Sequence, residues 1–298
     1  MAKAREFKRR LRALGKTKQI TKTMELVATS KMKKTQERVT AARPFTRKLA
    51  EILASLDIAA IAASSGSRFP LLAARETVSR VAVVSLTSNR GLAGALNANV
   101  IRATKQLVAG LEESNTKVDL HAFGKKGIAA FRYAKFAMKS TSIELTDKPD
   151  YRIAERLGDE MIAAFTAGEI DELRLVYPAF RSLVSQPPTV EVILPLGSMI
   201  EKMVAASGGL ASNAEFILEP SPEVILDALL PLFVKNGIYR AMLEMAASEQ
   251  AARRVAMKNA TDNADDIMTI LSRQYNRARQ AQITQELAEI VGGANALE

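Results

Sequence analysis

Cysteine is absent from the 298 residues. That excludes disulfides, thiolate metal sites and cysteine nucleophiles, and it fits a reducing compartment. Histidine occurs once, as His121. A histidine-rich metal site is therefore excluded, and so is any catalytic arrangement needing two histidines. No run approaches the roughly 20 consecutive apolar residues that a membrane-spanning helix requires. The chain is expected to be soluble or peripheral to a membrane. Acidic residues are scarce at one end. Met1 to Lys48 holds 16 Lys and Arg against Glu6, Glu25 and Glu37, a net charge of +13 in a chain whose total is +10. The rest is then net acidic, by −3. The basicity belongs to one segment, which seeks an acidic partner: nucleic acid, anionic lipid or an acidic protein surface.

Against these absences stands a composition suited to a buried core. Hydrophobic residues make up 48% and charged residues 25%, ordinary for a globular protein. The length suits one large domain or two modest ones. Met1 to Leu14 is basic and amphipathic, as transit peptides are. Its pattern continues for dozens of residues with no cleavage-like stretch, so it is expected to be mature structure.

That pattern is a heptad. Phe7, Leu11, Leu14, Lys18, Thr21, Glu25, Ala28, Met32, Thr35, Val39 and Ala42 step by alternating fours and threes. The frame continues through Thr46, Leu49, Leu53, Leu56 and Ala60. It predicts a coiled-coil helix over about 3–62, some 90 Å long at about 1.5 Å per residue. Lys18, Thr21 and Glu25 make the seam imperfect, Pro44 should kink it, and Ser64–Ser67 should end it.

The middle has another texture. Val81–Leu86 reads as a strand buried on both faces. A turn at Ser88–Gly91 and a helix to about Gly110 follow. Lys117–Phe123 is a second strand, and Gly124–Gly127 turns into a helix to about Tyr133. Tyr151–Thr166 is helical. Leu173–Tyr177 and Thr189–Leu194 are strands around Gln186–Pro187–Pro188. Strands alternating with helices predict a Rossmann-like α/β domain whose largely parallel sheet ends in a hairpin. From Pro222 the pattern is helical to about Val291. Ser221 would be its N-cap, Pro222 its first position and Gly292–Gly293 its stop. Ile238, Met242, Met245, Ala252 and Val255 hold heptad spacing, as do Ile267, Leu271, Gln274 and Ala278. Ile283, Leu287 and Ile290 form a last apolar cluster. Such long helices are unstable alone in water. The expected architecture is α/β with long helical extensions: helices 1–62 and 221–298 pair as an antiparallel coiled coil, and an α/β domain, 63–220, is inserted between them and clamped at one end.

Several patterns invite a chemical reading and fail its context test. Gly15–Lys16–Thr17 resembles the end of a phosphate loop, but Arg10 stands where that loop needs glycine and a helix stands where it needs a strand. Gly91–Leu92–Ala93–Gly94 follows a strand, yet lacks the dinucleotide spacing and an acid ending the second strand; close helix packing accounts for it. Gly124–Gly127 could bind an anion, although a solvated turn suits it better. His121 is expected at the edge of the sheet. Asp262, Asp265 and Asp266 share a helix face and could attract a cation, but no loop supplies further oxygens. Met24, Met32, Met242, Met245, Met257 and Met268 lie on the long helices. They suit seam packing, or else an adaptable surface turning inside a sleeve.

Two segments go further. GKTKQITKTMELVATSKMK (Gly15 to Lys33) and ASEQAARRVAMKNATDNADDIMTILSRQYNRARQAQITQELAEI (Ala247 to Ile290) resemble the two shaft helices of F-type ATP synthase γ subunits. SLTSNRGLAGALN, GKKG and SQPPTVEVILPL between them resemble the same family, in the same order. The resemblance implies a rotating, non-catalytic central stalk of a proton-translocating ATP synthase. Its partners would be the α and β subunits around the coiled-coil tip, with the ε subunit and the membrane c ring at the base. It implies no cofactor, no metal and no nucleic acid. It implies a peripheral location on the cytoplasmic face of a bacterial plasma membrane. Met24 matches the family methionine near the β contact. Arg279, Gln280, Thr284 and Glu286 match polar residues facing the α/β sleeve. Glu219, in LEPSP, resembles the glutamate at the foot near the c ring. The first turn departs from the family's frequent SDRGLCGGLN at Asn89 and Ala93, and the chloroplast form's cysteine switch is absent. Two rival readings are a nucleic-acid-binding coiled-coil arm and an α/β enzyme with helical extensions. The first lacks interleaved aromatics for stacking. The second lacks a complete cofactor motif.

Overall fold

The structure, a computed structural model, describes residues 2–55, 69–73, 75, 77–197 and 221–295. Its elements in chain order are α1 (Ala2–Ser55), β1 (Arg80–Leu86), α2 (Leu96–Glu113), β2 (Lys117–Phe123), α3 (Lys125–Tyr133), β3 (Ser140–Ser142), α4 (Tyr151–Thr166), β4 (Glu172–Pro178), β5 (Pro188–Leu194) and α5 (Pro222–Asn295). The chain divides into two compact units: residues 30–252, and residues 1–29 with 253–298.

The larger unit holds a five-stranded sheet in the order β3-β2-β1-β4-β5. β1 pairs in parallel with β2 and β4, and β2 with β3, while β4 and β5 form the antiparallel hairpin. The apolar run Val81–Leu86 is wholly buried because this strand is central and covered on both faces. Alternation divides it. Val81 and Val83 pack with Val100 and Leu111 of α2 and Ile128 and Phe131 of α3. Ala82, Val84 and Leu86 point the other way, into a core with Leu157, Met161 and Phe165 of α4 and Leu226 to Met245 of α5. Ser85, polar on the α2 side, is matched by Thr104, with the hydroxyls 2.9 Å apart.

One strand is unforeseen. β3 carries only Ser140, Thr141 and Ser142 and has no apolar signal, yet it covers the outer side of β2. His121 is therefore interior rather than at an edge. It is buried, and its Nδ1 lies 2.7 Å from Ser140 Oγ. Burial lowers its pKa below the ordinary histidine value, against the pull of Glu160.

Along α1 every heptad position from Phe7 to Ala42 is buried or half-buried, and so is Leu49. The helix continues through Pro44. Leu56, Ala60 and the Ser64–Ser67 stop lie outside the described residues. In the larger unit Val39 packs with Leu243 and Ala247, beside Ala42 and Tyr239, so the two helices run antiparallel. In the smaller unit the same sense follows from two contacts. Thr21 Oγ1 is 2.7 Å from Thr261 Oγ1, and Lys18 is ion-paired with Asp265.

The α5 seam differs from expectation. From Met257 on, the buried or half-buried positions are Met257, Thr261, Ala264, Met268, Leu271, Tyr275, Ala278 and Gln282, again stepping by fours and threes, with Ala260 half-buried beside Thr261. Leu271 and Ala278 were in the expected frame; Ile267 and Gln274 are exposed. Ser221 caps α5 as expected, its Oγ accepting the Val224 amide at 3.4 Å. The helix does not stop at Gly292–Gly293 but reaches Asn295; glycine allows a left-handed stop without imposing one. Among the described residues no helix is long and apolar enough to cross a membrane.

Candidate functional site

In the smaller unit the pairing of α1 with α5 runs out. With Thr21 opposite Thr261 and Lys18 opposite Asp265, the start of α1 falls opposite about residue 281 at equal rise per residue. Yet α5 continues to Asn295. Beyond Gln282 its residues through Gly292 are exposed, among them Ile283 (48%), Leu287 (57%), Ile290 (68%) and Val291 (58%). An unpaired helix of this length is marginal in water. Covering each aliphatic side chain on a partner is worth about 1.5–3 kcal/mol. The arrangement leaves an exposed aliphatic surface along the helix end. Ile267 and Ile270 on α5, and Ile20, Leu26 and Val27 on α1, are exposed apolar positions of the paired stretch.

The polar residues singled out from the sequence lie beside these aliphatics. The Arg279 guanidinium stands 6.0 Å from the centre of the Tyr275 ring, a cation–π distance. The Gln280 carbonyl accepts the Thr284 hydroxyl at 3.0 Å, and Glu286 accepts Gln282 Nε2 at 2.7 Å. All four, Arg279, Gln280, Thr284 and Glu286, are exposed. Met24 is half-buried on α1. Its level on α5 is near residue 258, roughly 30 Å along the coil from Arg279, so it is not brought to the others. Glu219 lies outside the described residues.

A second set of groups, within the larger unit, fastens the α/β domain to the long helices. Arg240 of α5 forms an ion pair with Glu191 of β5 and lies 3.3 Å from both Glu244 and the Tyr177 hydroxyl. Tyr177 donates to Glu191 at 2.7 Å. Burial pushes the Tyr177 phenol well above its ordinary range, with Arg240 opposing and Glu191 adding. Burial likewise raises the Glu244 carboxyl, against Arg240 and the Phe180 amide. Ser248 donates to the Pro178 carbonyl at 2.9 Å. Lys235 pairs with Asp159 of α4 at 2.7 Å, and Tyr151 meets Tyr239 edge-to-face at 5.4 Å. Asp147, in the β3–α4 loop, is ion-paired with Lys31 of α1 and accepts Gln250 Nε2 of α5 at 2.9 Å.

The description "ATP synthase" belongs to the family model that matches residues 3–297. The ATP synthase gamma chain of Gemmatimonas aurantiaca is 47% identical over 298 residues, covering all of both chains. That of Frankia casuarinae is 43% identical over 98% of this chain and 97% of its own. The chain belongs to the ATP synthase gamma chain family. The fold agrees with two Euglena gracilis mitochondrial ATP synthase structures. One, of the OSCP/F1/c-ring assembly, has a TM-score of 0.68 at 21% identity over 99% of this chain and 95% of that one. The other, of the rotor, has a TM-score of 0.64 at 20% identity over 95% and 99%.

For a gamma chain the motifs that resembled chemistry have structural roles. Gly15–Lys16–Thr17 is mid-helix, and the Thr17 hydroxyl donates to the Ala13 carbonyl at 3.1 Å. The first amides of α3 are already taken: Lys125 by Asn89 Oδ1, Lys126 by the Ser88 carbonyl and Gly127 by Thr87 Oγ1, at 2.9, 3.2 and 2.9 Å. No open anion cradle remains there. Asp262 is paired with Lys258 and Asp265 with Lys18. Among the described residues no cluster of three or more acids or histidines can hold a metal. All six methionines on the long helices are buried or half-buried, Met24 and Met268 being the half-buried ones, which favours packing. The nucleic-acid reading of the basic helix finds no support in this family. Asn89, a departure from the family's frequent turn, holds two loops together, donating to the Ile143 and Leu145 carbonyls at 2.7 and 2.6 Å. Asp147, Glu191 and Arg240 carried no signal in the sequence; the Glu191–Arg240 pair spans 49 residues and the Lys31–Asp147 pair 116.

Proposed function

We propose that this chain is the rotating central shaft of an F-type proton-translocating ATP synthase, with no catalytic residue of its own. The observation that carries the reading is the α5 end, a helix that outruns its partner and exposes Ile283, Leu287, Ile290 and Val291. Such a surface is stable when enclosed by a ring of other subunits. The functional division is helix 1–62, α/β domain 63–220 and helix 221–298. The α and β subunits form the sleeve. Arg279, Gln280, Thr284 and Glu286 face it, and Met24 meets β further along. The ε subunit and the c ring engage the α/β domain, with Glu219 at the foot. The complex sits on the cytoplasmic face of the bacterial plasma membrane.

The chemistry of the surface suits rotation. Aliphatic side chains without a deep pocket adhere and release, and the polar residues beside them form short-range contacts that break and reform. An asymmetric shaft favours a different β conformation at each angle, and that difference in contact free energy is what coupling requires.

Affinity purification of the tagged chain from its native membranes tests this. Recovery of α, β and ε with the chain supports the shaft. Recovery of RNA or unrelated enzymes, with neither α nor β, contradicts it.

A further inference from the structure

A shaft must pass twist between its α/β domain and both of its helices. The structure treats the two helices differently. α5 is fused to the domain by apolar packing, with Leu226, Leu230, Phe233, Val234, Ile238 and Met242 fully inside its core. The α1 residues in the larger unit contribute Leu49 to that core and Val39 to a small cluster. Among the described residues, a carboxylate of the domain supplements them. Asp147 Oδ2 is ion-paired with Lys31 of α1, and Asp147 Oδ1 accepts Gln250 Nε2 of α5 at 2.9 Å. The Gln250 side chain is buried. A single side chain of the domain thus engages both helices, one oxygen to each.

The loop that presents it is held at both ends. Two residues before, Leu145 is buried in the domain core, and its carbonyl accepts Asn89 Nδ2 at 2.6 Å. Three residues after, Asp150 caps α4, accepting the Arg152 amide at 3.0 Å. Between them Thr146 and Lys148 bond to each other, hydroxyl to carbonyl at 2.9 Å and amide to hydroxyl at 3.2 Å. A carboxylate on a tethered loop resists displacement by either helix, where one on a long free side chain would yield.

We propose that Asp147 is a positioning residue for torque transfer, a latch that makes α1 and α5 turn together with the α/β domain. The proposal rests on the shaft reading and adds a joint to it. With the latch open, twist enters chiefly through α5 and reaches α1 through apolar contacts such as those of Leu49 and Val39, without the tethered carboxylate. The joint is then held less firmly on its α1 side than on its α5 side.

The test uses the assembled complex, with a rotation probe attached through a cysteine introduced on the exposed face of α2. The variants are Asp147→Ala, Asp147→Glu, Lys31→Ala and the exchange Lys31→Asp with Asp147→Lys. Readouts are the angular variance of the probe in its pauses, and the ratio of protons pumped to ATP hydrolysed in vesicles. Asp147→Ala and Lys31→Ala are expected to raise the joint's share of the angular variance by up to about twofold, the limit reached if loss of the tether uncouples α1 from the domain. ATP hydrolysis is retained while pumping per ATP falls. Asp147→Glu, and the exchanged pair, restore both readouts toward the parent. A merely structural role would lower incorporation or thermal stability and leave the variance of the assembled molecules unchanged. Unchanged variance and pumping in Lys31→Ala, a half-exposed helix position, overturns the latch and leaves the shaft intact. If the parent complex does not rotate, the shaft reading fails and the latch with it.

Discussion

Gly124 and Gly158 are both tightly packed, and the structure separates their roles. Gly124 has φ +94°, and an added Cβ would lie 2.0 Å from the Thr87 carbonyl oxygen. Backbone cannot move aside cheaply, so Gly124→Ala is expected to cost at least about 3 kcal/mol. At Gly158 an added Cβ would meet Lys235 Cγ at 2.7 Å. Cγ lies near the root of that side chain, whose Cα stands 3.4 Å away and whose ammonium is held by Asp159, so relief needs a small shift of α4 against α5. The roughly 1 kcal/mol of helix propensity that alanine gains offsets part of that cost, and Gly158→Ala should destabilise by about 1–2 kcal/mol, less than Gly124→Ala. Urea denaturation of the two variants checks the contrast. Asp171 gives a pH-dependent case. Burial pushes its carboxyl up, but the Arg80 amide, the Ser79 hydroxyl and amide, and Arg75 together hold it below the ordinary 3.8. A depressed carboxyl adds stability above its unfolded-state pKa and loses it as pH falls through the folded value. The stability difference between the parent and Asp171→Asn should be full at neutral pH and fade below about pH 4. It should stay under about 1 kcal/mol, because the site is largely exposed and solvent-screened. A difference that grows on acidification would refute the assignment.

At the scale of the elements, the strands other than β3 could be read from the sequence because each carries its own apolar run. β3 could not, since Ser140–Thr141–Ser142 owes its place to pairing with His121, Ala122 and Phe123. The α1 seam was legible because its exposed face is strongly charged. α5 was harder, because Ile267, Ile270, Ile283 and Leu287 are aliphatic without facing α1. A pattern cannot say whether an apolar residue faces its own chain or another subunit. That ambiguity is itself the sign of the candidate site. The joint residues Asp147, Glu191 and Arg240 were illegible because pairing across such sequence separations leaves no local pattern. The unpaired α5 end yields a prediction of its own. Leu287→Asp with Ile290→Asp touches exposed positions, so the isolated chain should keep its stability within about 0.5 kcal/mol. Affinity for an assembly of α and β subunits should fall about tenfold or more, as removing one well-buried aliphatic contact does. Equal loss of monomer stability would place these side chains in a core instead.

At the scale of the whole molecule, charge and apolar surface divide the work. The N-terminal 48 residues carry the excess of +13 while the remainder is net acidic. Lys8, Arg9, Arg12 and Lys16 are exposed on α1. Association with acidic subunit surfaces should therefore slow as salt rises and the screening length falls from about 10 Å at 0.1 M to about 3 Å at 1 M. Dissociation, governed by the aliphatic α5 end, should change little. Stopped-flow assembly at several salt concentrations separates the two.

Rotation tests the central claim most directly. The complex is fixed to a surface through its β subunits, and a probe is attached to the α/β domain of this chain. Addition of ATP should produce sustained stepwise turning in one direction. A probe that stays still, or only fluctuates, while the bound complex hydrolyses ATP would contradict the account.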